Sequence, residues 1–251
     1  MDDKAPKVKS LYKALKLLDL FDNTAPERGI NELAEATGML KSSVYNIMST
    51  FRQCGFIEKT GSGKYSLGRK ILELGNVLLN NDTTRQVVKP YMDRLAEECN
   101  EVVYLARPSG TRIVYMDSSY PKTAMAIRVI LGISAPYYCT GIGKAMLAFL
   151  GDDLTQQVIS EGFTQYTPFT LTNGPALLNE MEEIRKRGYS IDNMEHEYGI
   201  RCVGVPIFNY QGDVVAGLSI SGPSLRVMDD KVTFLAKKLL EAAQELKPQL
   251  K

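Results

Sequence analysis

The sequence predicts an α+β protein that consists of an N-terminal winged helix-turn-helix and a larger C-terminal domain built on an antiparallel sheet. Three observations lead to this fold class. Two short amphipathic helix patterns flank Gly38, and an alternating, glycine-containing stretch at 56–67 follows them. Beyond residue 100 the period changes, because 102–106 and 112–116 are rich in β-branched and aromatic side chains. Helices and strands there come in blocks rather than in strict alternation, which is typical of α+β domains.

The helix-turn-helix is predicted from two apolar stripes. The first helix carries residues spaced i, i+3, i+4 and i+7, namely Ile30, Leu33, Ala34 and Thr37. Gly38 ends it, since a residue without Cβ adopts the left-handed conformation that a tight turn requires. The second helix, from Leu40 to Cys54, repeats the stripe with Val44, Ile47, Met48 and Phe51. The hairpin that follows, around a turn of small residues, is the wing.

The outer face of the second helix is polar and nearly uncharged, which suits a DNA groove of hydrogen-bond donors and acceptors. We expect Ser43, Tyr45 and Asn46 to read bases. Lysines and arginines of this region would attract phosphates, and residues 1–80 hold 12 Lys and Arg against 9 Asp and Glu. The full set of predicted DNA-binding residues is Lys41, Ser42, Ser43, Tyr45, Asn46, Ser49, Arg52, Lys59 and Lys64.

Composition argues against several other classes of protein. The chain has 251 residues and is 44% hydrophobic, enough for a sizeable core. No apolar run approaches the about 18 residues of a membrane span, and the first residues lack an apolar signal core. The four cysteines are scattered and His196 is the only histidine, which argues against a metal site and a disulfide framework. We expect a cytosolic protein with reduced cysteines, no metal and no cofactor.

The remaining elements follow from periodicity. Leu11, Ala14, Leu15, Leu18 and Phe21 predict a first helix that braces the motif. A very apolar helix from Ile71 to Leu79 follows the wing, and a second copy of the chain is the simplest cover for it, giving a dimer. Further helices are predicted at Thr83 to Cys99, Pro175 to Arg187 and Val232 to Leu246, and further strands at Ile127 to Leu131, Tyr189 to Asp192, Cys202 to Phe208 and Val214 to Ser221.

The stretch from 140 to 148 predicts a ligand-facing helix start. Thr140 can cap a helix beginning at Gly141, and glycines there let backbone N–H groups approach a ligand. It is not a phosphate loop, because Tyr138 stands where a glycine is required and Ala145 where a hydroxyl would hold magnesium. Lys144 is poorly placed for the helix dipole, which points to a functional or packing reason for its presence.

The sequence resembles the IclR family of bacterial transcription regulators over nearly its whole length. The N-terminal motifs are Glu32-Leu33-Ala34, Lys41-Ser42-Ser43-Val44, Gly55-Phe56-Ile57 and Lys64-Tyr65-Ser66-Leu67-Gly68. More specific C-terminal motifs are 141–148, Gly188-Tyr189-Ser190-Ile191-Asp192, Gly199-Ile200-Arg201-Cys202, Val205-Pro206-Ile207 and Ser219-Ile220-Ser221-Gly222-Pro223. The chain departs from the family pattern at Tyr138, often His, and at Asn46, often Arg.

The resemblance implies a winged helix-turn-helix at 1–69, a linker helix at 70–82 and a GAF-like effector-binding domain at 83–251. It implies a homodimer or a dimer of dimers that binds a double-stranded DNA operator and a small-molecule effector, often a carboxylate, sugar acid or aromatic acid. By motif position, the effector-binding residues would be Gly141, Ile142, Asp192, Cys202, Ser219 and Ser221.

Two alternatives from other classes stay open at this point. An enzyme would use Cys202 as its nucleophile with His196 as the available base, although a lone histidine is expected to be exposed. A metabolite-binding adaptor would use the helix-turn-helix to dock protein rather than DNA. Arg128 and Arg201 are candidates for pairing with a ligand carboxylate, and a structural ion pair is at least as good an interpretation of each.

Overall fold

The computed structural model describes residues 6–123 and 130–251, and these form two compact units that meet between Asn81 and Asp82. The N-terminal unit is helical with one small hairpin, whereas the C-terminal unit is built on an antiparallel sheet. The predicted α+β fold class is therefore confirmed.

The N-terminal unit has the order of elements that the two apolar stripes predict. Helix α2 ends at Gly38, which has a φ of 66° and donates its N–H to the carbonyl of Glu35. The wing strands pair in antiparallel register, with Ile57 opposite Leu67. The bounds of the elements are α1 Lys9–Leu18, α2 Ile30–Thr37, α3 Lys41–Gln53, β1 Ile57–Lys59, β2 Tyr65–Leu67 and α4 Arg69–Asn80. Their shared core is formed by Leu17, Phe21, Leu33, Ala34, Val44, Met48, Ile57 and Tyr65.

The predicted buried face of α1 is wrong in its first half. Leu11 and Leu15 are 55% and 49% exposed, while Leu17, which the predicted stripe omits, is fully buried. Residues 14, 17, 18 and 21 have the same i, i+3, i+4, i+7 spacing as the predicted set, so periodicity alone does not choose between two apolar faces. Only packing against the rest of the head decides which face is covered.

The C-terminal unit contains one six-stranded antiparallel sheet, with strands β3 Val102–Ser109, β4 Arg112–Ser119, β5 Ser134–Pro136, β6 Ser190–Asn193, β7 Ile200–Phe208 and β8 Val214–Pro223. The strand order is β5-β4-β3-β8-β7-β6, so the first three strands form one half of the sheet and the last three form the other. The halves join where β8 pairs with β3 across more than 100 residues of sequence. The long strands β7 and β8 are buried except near their ends.

Helices cover both faces of this sheet. Helix α6 lies against Gly204 and Gly217, and α8 packs on α6. Helices α5 and α9 contact each other and the sheet, on the side to which Val203 and Val205 point. The helices are α5 Thr83–Cys99, α6 Gly141–Leu147, α7 Asp152–Ser160, α8 Gly174–Arg187 and α9 Asp229–Leu246, followed by a 3₁₀ turn Lys247–Gln249.

The sequence predictions miss two elements of this unit, and one predicted strand falls largely on residues that the structure does not describe. Helix α7 and the short strand β5 were not predicted, and β5 pairs with β4 at the sheet edge. The strand predicted at Ile127 to Leu131 falls largely outside the described residues, and Leu131 itself lies in a turn. Three-residue strands such as β5 are too short to show an alternating pattern.

Candidate functional site

The first candidate site is the outer face of α3. Its inner positions Val44 and Met48 are fully buried, which turns the polar side outward. Exposed on that side are the predicted DNA-binding residues Lys41, Ser42, Tyr45, Asn46 and Arg52. Ser43 and Ser49 are half-buried, and no side chain caps the first turn of α3, so its backbone N–H groups are available to a phosphate. The structure thus gathers these residues on one helix, and their role in DNA binding stays a prediction.

The two wing lysines have different surroundings. Lys59 is exposed, whereas the ammonium of Lys64 lies 2.8 Å from a carboxylate oxygen of Glu32. The other oxygen of Glu32 accepts the backbone N–H of Gly29 at the start of α2. Lys64 therefore ties the wing to the helix-turn-helix, and part of its charge is already compensated before any phosphate approaches.

The second candidate site is a cavity of about 280 Å³ between α6 and one face of the sheet. Its wall contains all six residues predicted to bind an effector: Gly141, Ile142, Asp192, Cys202, Ser219 and Ser221. They come from α6, β6, β7 and β8, which span about 80 residues of sequence. Their convergence on one cavity is what a binding site requires, and the binding itself stays a prediction.

Glycines allow α6 to lie close enough to the sheet to form this cavity. A Cβ on Gly204 would lie 2.6 Å from the carbonyl group of Gly141, so no larger residue fits at that point of β7. The helix start is fixed by Thr140, whose hydroxyl accepts the N–H of Gly143 and donates to the carbonyl of Pro136. The sequence prediction of Thr140 as the cap is confirmed.

Asp192 lies at the inner wall of the cavity and is only 4% exposed. One of its oxygens accepts the backbone N–H of Glu195 at 2.7 Å. Burial, and then the nearby carboxylate of Glu195, raise the pKa of Asp192 to about 7. At neutral pH this carboxyl group is therefore divided between its charged and neutral forms.

Cys202 lies beside Asp192 on β7, and its surroundings oppose nucleophilic chemistry. Burial and the neighbouring Asp192 carboxylate raise the pKa of the Cys202 thiol well above its ordinary value. A thiol that performs catalysis needs the opposite shift, toward the thiolate. The prediction that His196 is exposed is wrong: its ring is half-buried in the cavity wall, 5.0 Å from the ring of Tyr166.

Lys144 has a structural partner set that explains its place inside α6. Its side chain is 2% exposed, and its ammonium lies 2.5 Å from Glu195 and 3.5 Å from Glu180. It also donates to the backbone carbonyl of Ile191 at 2.7 Å. Lys144 therefore holds the segment that follows Asp192 against α6. The sequence analysis does not predict the pairing of Glu195 with Lys144.

The structure also adds cavity residues that sequence reasoning missed. Tyr104 and Tyr115 line the wall from β3 and β4, with ring centroids 5.6 Å apart in an edge-to-face arrangement. Glu101 lines it as well, and is held by Arg226 at 2.7 Å and Lys231 at 2.8 Å. The tyrosines sit in recognisable β-rich runs, but nothing local shows which face of the sheet carries the cavity.

Arg201 has a structural role rather than a place in the cavity wall. Its guanidinium donates to Asp229 at 2.7 Å and to the backbone carbonyl of Val227 at 3.1 Å. The structural ion pair was one of the two interpretations of this residue. Arg128, the other candidate, lies outside the described residues.

Two further site classes are absent from the described part of the chain. No helix among these residues is both long and apolar enough to cross a membrane. No three His, Cys, Asp or Glu side chains among them lie together in a way that could hold a metal ion.

Two family models match this chain. The helix-turn-helix domain of IclR matches residues 10–61, and the C-terminal domain of bacterial IclR transcriptional regulators matches residues 77–247. The chain belongs to the IclR family. The resemblance drawn from the sequence motifs is thereby confirmed.

Similar proteins extend over the whole length of this IclR-family chain. It is 34% identical over 253 residues to the transcriptional regulator KdgR of Escherichia coli (strain K12), covering 99% of this chain and 95% of KdgR. It is 31% identical to XynR of the same organism, covering 96% of both chains. An IclR regulator structure from Alicyclobacillus acidocaldarius is 25% identical, with a TM-score of 0.82 over 96% of this chain and 98% of that one.

Membership of the IclR family decides between the classes left open by the sequence. The chain is a transcriptional regulator with a DNA-binding helix-turn-helix and a C-terminal effector domain. The enzyme alternative based on Cys202 and His196 is not supported, since the relatives are regulators and burial raises the pKa of the Cys202 thiol, away from the reactive thiolate.

Proposed function

We propose that this regulator senses a small polyoxygenated metabolite, a carboxylate or sugar acid, in the cavity beside α6. The observation that carries the proposal is the convergence of Asp192, Cys202, Ser219 and Ser221 with the start of α6 on one cavity of about 280 Å³. Hydroxyl, thiol, carboxyl and backbone N–H groups together can fix the orientation of several ligand oxygens, while Tyr104 and Tyr115 supply apolar wall.

The proposed DNA contacts divide by chemistry. Ser43, Tyr45 and Asn46 on α3 would meet base edges, because short polar side chains on a helix can reach donors and acceptors in the major groove. Lys41 and Lys59 would attract phosphates, and Arg52 adds to this charge. Phosphate contacts strengthen binding to every sequence, whereas base contacts select one.

We infer that two copies pair through α4. No residue of this helix is buried within its own unit, and Leu74, Val77 and Leu78 are 47%, 59% and 64% exposed on one stripe. A contiguous apolar stripe of this kind is normally covered. Two paired chains would present two α3 helices to successive major grooves of a palindromic operator, and the effector would act by changing their spacing.

Sedimentation measurements on single variants test the pairing. Leu78→Glu would place a charge in the proposed interface and shift the protein toward monomer. Asn76→Glu is the matched control, because it adds the same charge to α4 on the side away from the stripe, and it should leave the assembly unchanged. Equal sedimentation of wild type and both variants would contradict the pairing.

Fluorescence anisotropy with the DNA upstream of the regulator's own gene tests the function itself. Binding should be sequence-selective, weaken with salt, and change with one member of a panel of sugar acids and aromatic acids. Replacing both cavity serines, Ser219→Ala with Ser221→Ala, should abolish the effect of that compound and leave DNA affinity unchanged. Ser160→Ala, an exposed serine of the same unit, should respond like wild type. If the variant with both cavity serines replaced keeps the response and Ser160→Ala loses it, the effector binds elsewhere.

A further inference from the structure

Three cavity residues form a row across the sheet. Asp192 on β6 lies directly opposite Cys202 on β7, and Cys202 lies directly opposite Ser221 on β8. Side chains directly opposite each other in an antiparallel sheet point to the same face, here the face that lines the cavity. A ligand in the cavity therefore contacts a carboxyl, a thiol and a hydroxyl that lie side by side, with the carboxyl at the end of the row.

Asp192 differs from the other buried carboxyl groups of the described residues. Three others, Asp82, Glu101 and Glu195, each form an ion pair, with Arg107 at 3.1 Å, Arg226 at 2.7 Å and Lys144 at 2.5 Å respectively. Within residues 6–123 and 130–251, Asp192 has no ion pair within 4 Å, although it is 96% buried. A buried carboxylate without a cation is costly, and such a group normally takes up a proton.

Burial, and then the Glu195 carboxylate, raise the pKa of Asp192 more than the backbone N–H groups of Glu195 and His196 and the charge of Lys144 lower it, so the charge of Asp192 is compensated only in part. The nearest buried cation, Lys144, already contacts Glu195, Glu180 and the carbonyl of Ile191 with its three N–H donors. Burial and the Glu195 carboxylate both favour the neutral form of Asp192, which raises its pKa. The titratable or charged side chains around it are Glu195 and His196 after β6, Cys202 on β7, Tyr115 on β4, Cys139 before α6 and Lys144 on α6.

We propose that the cavity accepts an acidic ligand only together with a proton on Asp192, so that effector binding takes up one proton from solvent. Two carboxylates in one buried cavity repel each other, and protonation of one removes that repulsion. The protonated Asp192 then becomes a hydrogen-bond donor to the ligand carboxylate, a role that its ionised form cannot fill. This inference rests on the proposed function, since it names the charge state in which the same cavity binds its ligand.

The protonation state of Asp192 then decides which ligand charge the cavity accepts at a given pH. Neutral ligands, such as the amide of a sugar acid, gain nothing from the proton and should bind with little dependence on pH. A ligand amine would pair with ionised Asp192 and bind more weakly as pH falls. Acidic, neutral and basic probes therefore give three distinct pH profiles for one cavity.

Isothermal titration calorimetry on the full chain tests the proposal, with gluconate and 4-hydroxybenzoate as acidic probes, their amides as neutral probes and glucamine, an alkylamine that stays charged over this pH range, as the amine. For an acidic probe, Kd should weaken by about 30-fold between about pH 6 and about pH 8.5, given a free-protein pKa near 7 for Asp192. Titrations in buffers of different ionisation enthalpy at about pH 7.5 should show uptake of about 0.8 proton.

Two variants separate Asp192 from other groups. Asp192→Asn should bind the acidic probe with little pH dependence and no proton uptake, because the amide keeps a donor and has no charge. His196→Gln is the matched control, since imidazole is the other cavity group of a type that titrates between pH 5 and 8. Whatever this change does to affinity, the variant should keep the wild-type dependence of Kd on pH and the wild-type proton uptake.

Carboxyl carbon NMR of the ligand-free protein gives a readout that needs no probe. One Asp resonance should titrate near pH 7, and it should be missing in Asp192→Asn. If the resonance that is missing in Asp192→Asn titrates below about pH 5 in the wild type, the inference is overturned. Acid binding that is independent of pH also overturns the inference and leaves the proposed function intact. Binding of the amine probe alone overturns the inference and the acidic ligand of the proposed function together. A protein that binds its DNA but responds to no probe and no panel compound contradicts the proposed function as well.

Discussion

Replacing Lys144 by methionine tests how the segment that carries Asp192 is held. The side chain of Lys144 is 2% exposed and its ammonium lies 2.5 Å from the carboxylate of Glu195, which is itself 7% exposed. Lys144→Met fills a similar volume but leaves Glu195 buried without its cation. Breaking a buried pair in this way costs about 3–5 kcal/mol of unfolding free energy. The exposed pair of Lys64 with Glu32 offers a contrast, because solvent screens such a pair and it contributes little to stability.

Urea unfolding at fixed protomer concentration measures this difference. Lys144→Met should lower the unfolding free energy by about 3–5 kcal/mol, whereas Lys64→Ala should change it much less. Adding Glu195→Gln to Lys144→Met removes the stranded charge and should restore part of the loss. The loss in Lys144→Met should also shrink at acidic pH. Burial raises the pKa of Glu195, so the folded state favours the protonated form of this group, and the group stabilises the fold less as pH rises.

Two results would refute this reasoning. If Lys144→Met costs no more than Lys64→Ala, the buried pair contributes as little as a solvated one. If the double variant is less stable than Lys144→Met alone, the loss comes from side-chain packing rather than from the unpaired charge of Glu195.

Substitutions in the cavity, on the DNA-binding unit and at two glycines should change stability or DNA affinity in defined ways. Asp192→Asn should be more stable than wild type above about pH 7, by an amount on the order of 4 kcal/mol. The reason is that the raised pKa of Asp192 lowers the stability of the wild type as pH rises, so the difference should decline to nothing toward pH 4. Urea unfolding at several pH values measures this difference. In anisotropy titrations, Asn46→Ala should relax sequence preference, whereas Lys59→Ala should weaken all sequences alike and lower the salt slope by about one per contact; a uniform loss for Asn46→Ala would count against base reading. In thermal unfolding, Gly204→Ala should destabilise by about 1–3 kcal/mol or more through its 2.6 Å clash with α6, while Gly75→Ala, in open space on α4, should stabilise by about 0.5–1 kcal/mol.

Elements with strong local signals were predicted close to their observed bounds. Helix α8 has a predicted stop at Gly188, and the observed φ of 81° there is the left-handed end that a glycine permits. Helix α6 begins at the predicted cap Thr140. Helix α7 was missed, and its two buried residues Thr155 and Val158 give only a short stripe in a polar segment.

Some residues of the cavity wall could be predicted from short sequence motifs, and others could not. The six effector-binding candidates were named from motif positions, because the family motif marks each of them in its own short segment. Glu101 carried no such mark, since its partner Arg226 lies 125 residues away along the chain. The ion pair of Lys144 with Glu195 spans 51 residues and was equally invisible to periodicity.

The sequence by itself determined the family, the helix-turn-helix with its wing, and six of the residues that line the cavity. Each of these depends on spacing within a short segment, which the chain carries before it folds. Only the tertiary structure decided that Asp192 is buried with no ion pair among residues 6–123 and 130–251, that burial raises the pKa of the Cys202 thiol and that His196 lines the cavity. Charge state depends on desolvation and on distances between groups that are remote in sequence, and those quantities exist only once the sheet and α6 have come together.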